Sequence, residues 1–188
     1  MKSPAQSQLR IIGGQWRGRK LGFPAEPGLR PTSDRIRETL FNWLAPIIYG
    51  KNCLDLFAGS GALGLEARSR EAGFCCFIDQ SAKVCKQLTA NIELLKCNNA
   101  RVEQANALEW IKRQPQESYA LVFLDPPFDL KLIEPLCQAL ETSQLIQPGG
   151  YVYIETARGD TLNLAGCWQP YRQKQTGNVS YSLYKFEP

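Results

Sequence analysis

An alternation of short apolar segments with amphipathic segments constrains the fold of this chain more than any other sequence feature. From residue 52 onward, runs of β-formers are each followed by residues with apolar positions at helical spacing. The predicted elements are strand 52–57, a helix to about Arg70, strand 74–79, helix 81–96, strand 101–105, a helix from Ala107, strand 119–124, helix 130–143 and strand 151–155. Strands separated by helices form a parallel sheet with helices on both faces.

The carboxyl-terminal end of the chain departs from this alternation. Trp168–Lys174 and Val179–Phe186 are predicted strands, joined by the turn-forming sequence Gln175–Asn178. Pro148–Gly150 is predicted to turn the chain into strand 151–155. We therefore predict an α/β, Rossmann-like sheet that is mostly parallel and ends in an antiparallel hairpin.

The amino-terminal quarter is predicted to form a small extension of the same domain. Ile11–Gly14 and Arg19–Phe23 suggest a short β-hairpin, and Pro24–Pro31 suggests a loop. A helix capped by Thr32 or Ser33 should follow and run to about Leu44. Residues 1–50 are thus predicted as a basic arm and helix, and residues 51–188 as the sheet domain.

A glycine-rich turn connects the first strand of the sheet to its helix. Gly59, Gly61 and Gly64 spell G-x-G-x-x-G, a spacing that permits a tight turn and close approach of backbone to a ligand. That pattern alone suits a dinucleotide as well as S-adenosylmethionine. Asp55 favours S-adenosylmethionine, because a carboxylate inside the strand can meet the ammonium group of a methionine moiety.

Polar residues at the ends of the next two strands extend this candidate site. Asp79 ends the second strand, where an acid accepts hydrogen bonds from ribose hydroxyls, and the alternative is an ordinary helix cap beside Ser81. Asn106 ends the third strand and is expected to contact adenine together with the local backbone. The predicted cofactor-binding residues are Asp55, Phe57, Gly59, Ser60, Gly61, Asp79, Gln80, Asn106 and Ala107.

The fourth strand ends in Asp125-Pro126-Pro127-Phe128, which is predicted to be the catalytic motif. The prolines cannot continue a strand ladder and stiffen the backbone beyond it. Asp125 and the Pro126 carbonyl can accept the two hydrogens of an exocyclic amine, and Phe128 can stack on the ring. The nitrogen lone pair can then be aimed at an electrophile. The alternative is a rigid turn in which the acid faces solvent.

Positive charge is concentrated at the amino-terminal end. Residues 1–50 contain eight Lys/Arg and three Asp/Glu, a net +5, whereas residues 51–188 contain 14 and 15, a net −1. Cations bind phosphates and aromatic rings stack on unpaired bases, so this region is a candidate RNA-binding surface. A solvated face with the aromatic packed on the protein is the alternative. The predicted RNA-binding residues are Arg10, Trp16, Arg17, Arg19, Lys20, Arg30, Arg35 and Arg37.

Composition excludes several other classes of protein. The chain has no histidine, which removes histidine-based triads, metal sites and hydride chemistry, and no metal site is predicted. Seven scattered cysteines without a C-x-x-C pair fit reduced thiols in the cytoplasm. No apolar run is long enough to span a membrane, and the first residues have no apolar signal core.

Two stretches near the amino terminus make a family resemblance specific. Arg10–Leu21 and Leu29–Phe41, together with the Asp55–Gly64 and Asp125–Phe128 motifs, resemble the RsmD family of class I methyltransferases. The resemblance extends from about Leu9 to Phe186. It implies transfer of a methyl group from S-adenosylmethionine to N2 of a guanine in small-subunit ribosomal RNA. It also implies S-adenosylhomocysteine as product and this RNA, free or in a subunit, as partner of a monomeric cytoplasmic enzyme.

Other functions fit parts of the sequence. The Asp125 motif suits any planar amine, including DNA adenine or a glutamine side chain. The glycine-rich turn allows a nicotinamide-dependent oxidoreductase, although Asp55 and the absence of histidine oppose it. A non-catalytic RNA-binding module would have no use for either Asp125 or the glycine turn.

Overall fold

A computed structural model of the protein describes residues 7–25, 32–113, 117–127 and 132–188. Two of the predicted site residues, Arg30 and Phe128, lie outside these ranges, as does most of the predicted loop before the first helix. The elements are β1 Ser7–Arg10, β2 Lys20–Phe23, α1 Asp34–Leu44, β3 Asn52–Asp55, α2 Gly64–Ser69, β4 Phe74–Asp79, α3 Ala82–Leu94, β5 Ala100–Gln104, α4 Ala107–Lys112, β6 Tyr119–Leu124, α5 Ile133–Ser143, β7 Ile146–Ala157, β8 Trp168–Thr176 and β9 Val179–Phe186.

Seven strands form one sheet in the order β5-β4-β3-β6-β7-β9-β8. The first five strands in this order pair in parallel, whereas β9 pairs antiparallel with both β7 and β8. This confirms the predicted α/β sheet with a carboxyl-terminal antiparallel hairpin. The hairpin turn is tighter than predicted, because the two strands pair up to Thr176 and Val179.

Helices α1, α3 and α4 begin where short polar side chains accept backbone hydrogen bonds. Ser33 caps α1 by accepting from Ile36 N, and Ser81 caps α3 by accepting from Val84 N. Asn106 does the same for α4 by accepting from Glu109 N. Each cap satisfies an amide that the first helical turn leaves unpaired, which explains why the starts of these three helices were predicted to within a residue. Helix α5, which has no such cap, begins at Ile133 rather than at the predicted residue 130.

Two apolar clusters cover the two faces of the sheet. Alternate residues of β6 point to opposite faces, so Leu121 and Phe123 join one cluster while Val122 and Leu124 join the other. The first cluster also contains buried residues of the arm, of α1 and of α2. The second contains those of α4 and α5.

The arm differs in register from its prediction. The first arm strand is Ser7–Arg10 rather than Ile11–Gly14, and it pairs with β2 from Ser7 opposite Phe23 to Arg10 opposite Lys20. The backbone amides of Ile12 and Gly13 bond instead to the side chain of Glu66 on α2. A partner distant in the sequence therefore ends the strand.

Strand β7 is longer than predicted and contains an irregularity. Ile146 pairs with Tyr119 and Tyr151 pairs with Leu121, so residues 147–150 bulge out opposite a single residue of β6. The predicted turn at Pro148–Gly150 is therefore a bulge within a strand. Such a bulge lets the proline and glycines sit in a strand without breaking the ladder on either side.

All seven cysteines are free thiols. Within the described ranges, no helix has the length and apolar character needed to cross a membrane.

Candidate active site

Four acidic residues meet at the carboxyl edge of the parallel strands. Asp55 is the last residue of β3, Asp79 is the last residue of β4, Asp125 directly follows β6, and Glu155 lies near the end of β7. Burial raises the pKa of Asp55, and the charges of Asp125 and then Asp79 raise it further; burial and then the charge of Asp125 raise the pKa of Glu155. The four carboxylates thus share one electrostatic site, at the edge where ligands of open α/β sheets bind.

Asp55 is a buried carboxylate that a cation would stabilise. It is only 2% exposed, and its Oδ2 accepts a hydrogen bond of 3.0 Å from Gly64 N. Burial raises the pKa of Asp55 to about 7, and the hydrogen bond from Gly64 only partly opposes this. A cationic group placed beside Asp55 would offset the cost of its burial.

The glycine-rich turn has the conformation that its sequence predicts. Gly59 and Gly61 have φ angles of 50° and 81°, which other residues rarely adopt. A Cβ on Gly61 would lie 2.7 Å from Leu65 Cδ1 and from Leu88 Cδ1, so no side chain fits there. Gly64 has a different role, because a Cβ there would overlap the ring of Phe77 beneath α2. Among the other predicted cofactor residues in this turn, Ser60 is buried and Phe57 is half-buried.

Asp79 holds this turn against the start of α3. Its Oδ2 accepts from Gly59 N at 2.9 Å, and its Oδ1 accepts from Ser81 N at 2.8 Å. The cap of α3 is Ser81 itself, so Asp79 is not the helix cap of the alternative interpretation. Each carboxylate oxygen can accept a further hydrogen bond, and Asp79 is only half-buried. Gln80 beside it is exposed.

The end of strand β5, where Asn106 lies, offers few free polar groups to a ligand. Asn106 is exposed, but its Oδ1 accepts from Glu109 N at 3.2 Å and thereby caps α4. Ala107 is buried, with 6% of its surface exposed. The amide nitrogen of Asn106 and the local backbone are the groups through which this strand end could meet a ligand.

Asp125 sits between the sheet and the amino-terminal segment. It is half-buried, and its Oδ2 accepts a hydrogen bond of 3.1 Å from Thr32 Oγ1. Burial raises the pKa of Asp125, and the hydrogen bond from Thr32 opposes that rise. Thr32 is itself fixed, because its carbonyl accepts a hydrogen bond of 3.1 Å from Arg37 Nε.

Glu155 is a site residue that the sequence analysis missed. It is 4% exposed, and its Oε1 accepts a hydrogen bond of 2.7 Å from the Tyr153 hydroxyl. Burial first, and then repulsion by Asp125, raises the pKa of Glu155, while Thr32 lowers it by hydrogen bonding. The signal in the sequence is an acid that directly follows the apolar run of strand 151–154.

A cavity of about 290 Å³ opens beside Glu155 and the two prolines that follow Asp125. Its walls include Pro126, Pro127, Ile133, Glu155, Thr156 and Leu162. It therefore combines the proline backbone of the predicted catalytic motif with a buried carboxylate and apolar surface.

The arm exposes five of the predicted RNA-binding cations, which are Arg10, Arg17, Arg19, Lys20 and Arg35. Arg10 also forms an ion pair of 2.8 Å with Asp34, in which both side chains are at least half exposed. Trp16 packs against the apolar core below the arm, as the alternative interpretation predicted. Its ring is therefore shared with the protein interior.

Arg37 corrects the prediction for this surface. It is 1% exposed, so it does not lie on an RNA-binding face. Its guanidinium donates to Arg10 O at 2.9 Å and to Asp34 Oδ1 at 2.6 Å, and it pairs with Glu66. These contacts within the protein use the donors that phosphate would otherwise take.

Glu66 is the second residue that the sequence analysis missed. It is fully buried on α2, and it accepts hydrogen bonds of 2.8 Å from Ile12 N, from Gly13 N and from Arg70 Nε. With Arg37 it ties the arm to the helix that follows the glycine turn. A lone acid in the apolar sequence Leu63–Ala67 was the available signal.

The strand order, the glycine turn and the acids at the carboxyl edge together define the class I methyltransferase fold.

Residues 9–185 match the family described as conserved hypothetical protein 95. The whole chain is 47% identical to ribosomal RNA small subunit methyltransferase D of Escherichia coli (strain K12), covering 96% of that protein. The protein of the same name from Haemophilus influenzae is 44% identical over 96% of this chain and 95% of its own length. The solved structure of yhhF from Escherichia coli superimposes with a TM-score of 0.88 at 43% identity, covering 96% of this chain and 99% of that chain. The chain therefore belongs to the RsmD family, which confirms the resemblance.

Proposed function

We propose that this protein transfers a methyl group from S-adenosylmethionine to the N2 amine of a guanine in small-subunit ribosomal RNA. The observation that carries the proposal is the convergence of Asp55, Asp79 and Asp125-Pro126 at one sheet edge in a chain of the RsmD family. The names of the relatives support small-subunit ribosomal RNA as the substrate class. The family resemblance supports the guanine N2 atom in particular, and the amine chemistry below is compatible with it.

The edge of the sheet suits S-adenosylmethionine on chemical grounds. Asp55 is a buried carboxylate that favours a cationic partner, and the ammonium of the methionine moiety supplies one. The backbone of the turn at Gly59–Gly61 permits close approach of a ligand, and Asp79 retains acceptor capacity for ribose hydroxyls. When bound, the cofactor supplies a methyl group on a sulfonium sulfur. That methyl group would pass to the amine nitrogen, and the sulfur–carbon bonding pair would stay on sulfur.

The chain has to hold the amine and receive its proton. Asp125 and the Pro126 carbonyl accept the two amine hydrogens, which fixes the plane of the amine and the direction in which its lone pair can develop. Burial raises the pKa of Asp125, which makes this carboxylate a better acceptor for the proton that the amine loses on methylation. Thr32 fixes the rotamer of Asp125 through its hydrogen bond. Positioning of this kind is a large part of what an enzyme contributes to such a transfer.

The exposed cations of the arm supply the contact with RNA phosphates. Arg17, Arg19 and Lys20 are exposed on the hairpin that Glu66 ties to α2. The RNA surface and the methyl-transfer site are thereby held on one framework.

Transfer of radiolabelled methyl groups tests the proposal directly. The purified protein should label small-subunit ribosomal RNA, either free or in the assembled subunit, and nuclease digestion followed by mass spectrometry should give N2-methylguanosine. Calorimetry should show that S-adenosylhomocysteine binds and NAD does not. Label in N6-methyladenine of DNA or in a glutamine side chain would instead establish one of the other amine substrates.

A further inference from the structure

Glu155 is a buried acid whose position the methyl-transfer proposal has not used. It lies in the strand next to Asp125 and on the wall of the cavity that also contains Pro126 and Pro127. The Tyr153 hydroxyl holds Oε1 at 2.7 Å, so the carboxylate is fixed rather than free to rotate away. The Thr32 hydroxyl donates to Asp125 Oδ2 at 3.1 Å, and Thr32 also lowers the pKa of Glu155, so this one hydroxyl lies near both carboxylates.

Two neighbouring carboxylates, the buried Glu155 and the half-buried Asp125, have acceptor capacity for further hydrogen-bond donors. Thr32 supplies Asp125 with one donor and Tyr153 supplies Glu155 with another, and the repulsion between the two acids makes further donors favourable. A bound base whose edge carries several N–H groups would satisfy both carboxylates at once. The two nitrogens attached to C2 of guanine carry three such hydrogens, two on N2 and one on N1. Adenine carries two on N6 but a lone pair on N1, which would face a carboxylate unfavourably.

We propose that Glu155 is the residue that selects guanine, by accepting a hydrogen bond from N1–H while Asp125 and Pro126 hold the N2 amine. This inference rests on the proposed function and assigns to this site the choice of base, since Asp125 and Pro126 by themselves fit any planar amine. Thr156 and Leu162 line the same cavity and bound the space into which the base must fit. Discrimination of this kind is strong where a buried polar group is left unpaired by the wrong substrate.

The test compares two bases at the mapped target nucleotide. Guanine and 2-aminopurine both carry the N2 amine, but only guanine carries N1–H. The RNAs are assembled by ligation and presented in the form, free or in the subunit, that the wild-type protein modifies. The wild-type protein should prefer guanine by about 10- to 100-fold in kcat/KM, as expected when a buried acceptor loses its hydrogen-bond donor. Glu155→Gln should reduce this preference by about tenfold or more, because an amide can either donate to N1 or accept from it.

The comparison of ratios removes the effect of the other difference between the bases, at C6, since that difference is common to both proteins. Glu93→Gln, an equivalent change on the exposed side of α3, should keep the wild-type preference. S-adenosylhomocysteine binding and thermal unfolding verify that Glu155→Gln is folded. Where that variant turns over too slowly, its affinities for the two RNAs with S-adenosylhomocysteine present give the same ratio.

An unchanged preference in Glu155→Gln would overturn the assignment of Glu155 while leaving the proposed function intact. Failure of the wild-type protein to methylate any guanine at N2 would overturn the proposed function itself, and the role of Glu155 with it.

Discussion

Asp125 combines two properties that a residue orienting an amine needs. It is half-buried, so a substrate can reach it, and its hydrogen bond from Thr32 fixes its direction. It lies on the far side of β3 from the strand that carries Asp79, and its neighbours in the sequence are prolines rather than the glycine turn. Methyl transfer and cofactor binding should therefore respond differently to changes at this residue.

We expect Asp125→Ala to lower the rate of methyl transfer by at least about 100-fold, the scale of losing a group that orients an amine and receives its proton. The affinity for S-adenosylhomocysteine should change by no more than about threefold. Asp125→Asn keeps an acceptor oxygen but lacks the charge, so it separates orientation from proton acceptance. Single-turnover rates and calorimetric titration measure the two properties. Turnover close to wild type in Asp125→Ala would rule out the assignment.

Asp55 gives the stability of the free protein a pH dependence with a definite sign. Burial raises its pKa to about 7, above the value of about 4 that an aspartate has in an unfolded chain. Between these values the folded protein holds a proton that the unfolded chain releases, so the free energy of unfolding falls as pH rises from about 4 to about 7. Burial raises the pKa of Asp125 and of Glu155 as well, which adds slope of the same sign.

Asp55→Asn should flatten this slope without abolishing it, because the other two carboxylates remain. Thermal or urea unfolding at pH 5, 6, 7 and 8 measures the effect for both proteins. Stability that rises with pH across this window in the wild-type protein would contradict the raised pKa of Asp55. Glu93→Gln provides the control, since Glu93 is exposed on α3.

The residues of the site differ in how far the sequence could predict them. Asp55, Asp79 and Asp125 were predictable because each follows a run of strand-forming residues, and the ends of parallel strands meet at one edge. The roles of Thr32, Glu66 and Glu155 depend on partners that are far away in the sequence, such as Asp125 for Thr32 at a separation of 93 residues. Arg37 shows the same limit, because a cation that ends up buried has the same sequence signature as one on the surface.

The strands of the sheet were predictable to within two residues, except that β7 begins five residues before its predicted start, whereas the register of the arm was not predictable. Strands β4 and β6 have the predicted bounds, since each is an apolar run that ends at a polar residue. The arm has no apolar run that ends at a polar residue. Its register depends on where the Glu66 carboxylate accepts hydrogen bonds from the amides of Ile12 and Gly13. Helix α2 therefore has two functions: its amino-terminal end closes the glycine turn, and its buried acid anchors the arm.

Glu66→Gln tests this anchoring role. The change leaves the buried guanidinium of Arg37 without one of its carboxylate partners, and breaking a buried pair from one side costs about 3–5 kcal/mol. The free energy of unfolding from urea denaturation should fall by about that amount. Hydrogen exchange at Ile12 and Gly13 should accelerate more than exchange in β6. Glu71→Gln, an exposed acid just beyond α2, should change neither quantity. Equal protection of the arm amides in Glu66→Gln would show that Glu66 does not hold the arm.

The molecule as a whole separates its charges. The first 50 residues carry a net +5 and the remaining 138 carry a net −1, so attraction of RNA depends on the arm. Three of the cations, Arg17, Arg19 and Lys20, lie close together on the exposed side of the hairpin. None of them contributes to the cofactor edge, since the contacts of that edge come from residues 55–155 and from Thr32.

Neutralising Arg17, Arg19 and Lys20 together to glutamine should weaken RNA binding and make it less sensitive to salt. Each phosphate contact releases counterions, so three lost contacts should reduce the log–log slope of affinity against salt by about two to three units. Affinity for S-adenosylhomocysteine should stay unchanged.

The matched control neutralises Lys51, Lys86 and Lys174, which are exposed cations beyond the arm, and so removes the same net charge elsewhere. RNA affinities across a salt series measure the effect. If the two triple variants lose affinity and slope equally, net charge rather than the arm attracts the RNA. If only the arm variant flattens the slope, the arm holds the phosphates while the carboxylate edge selects and methylates the base.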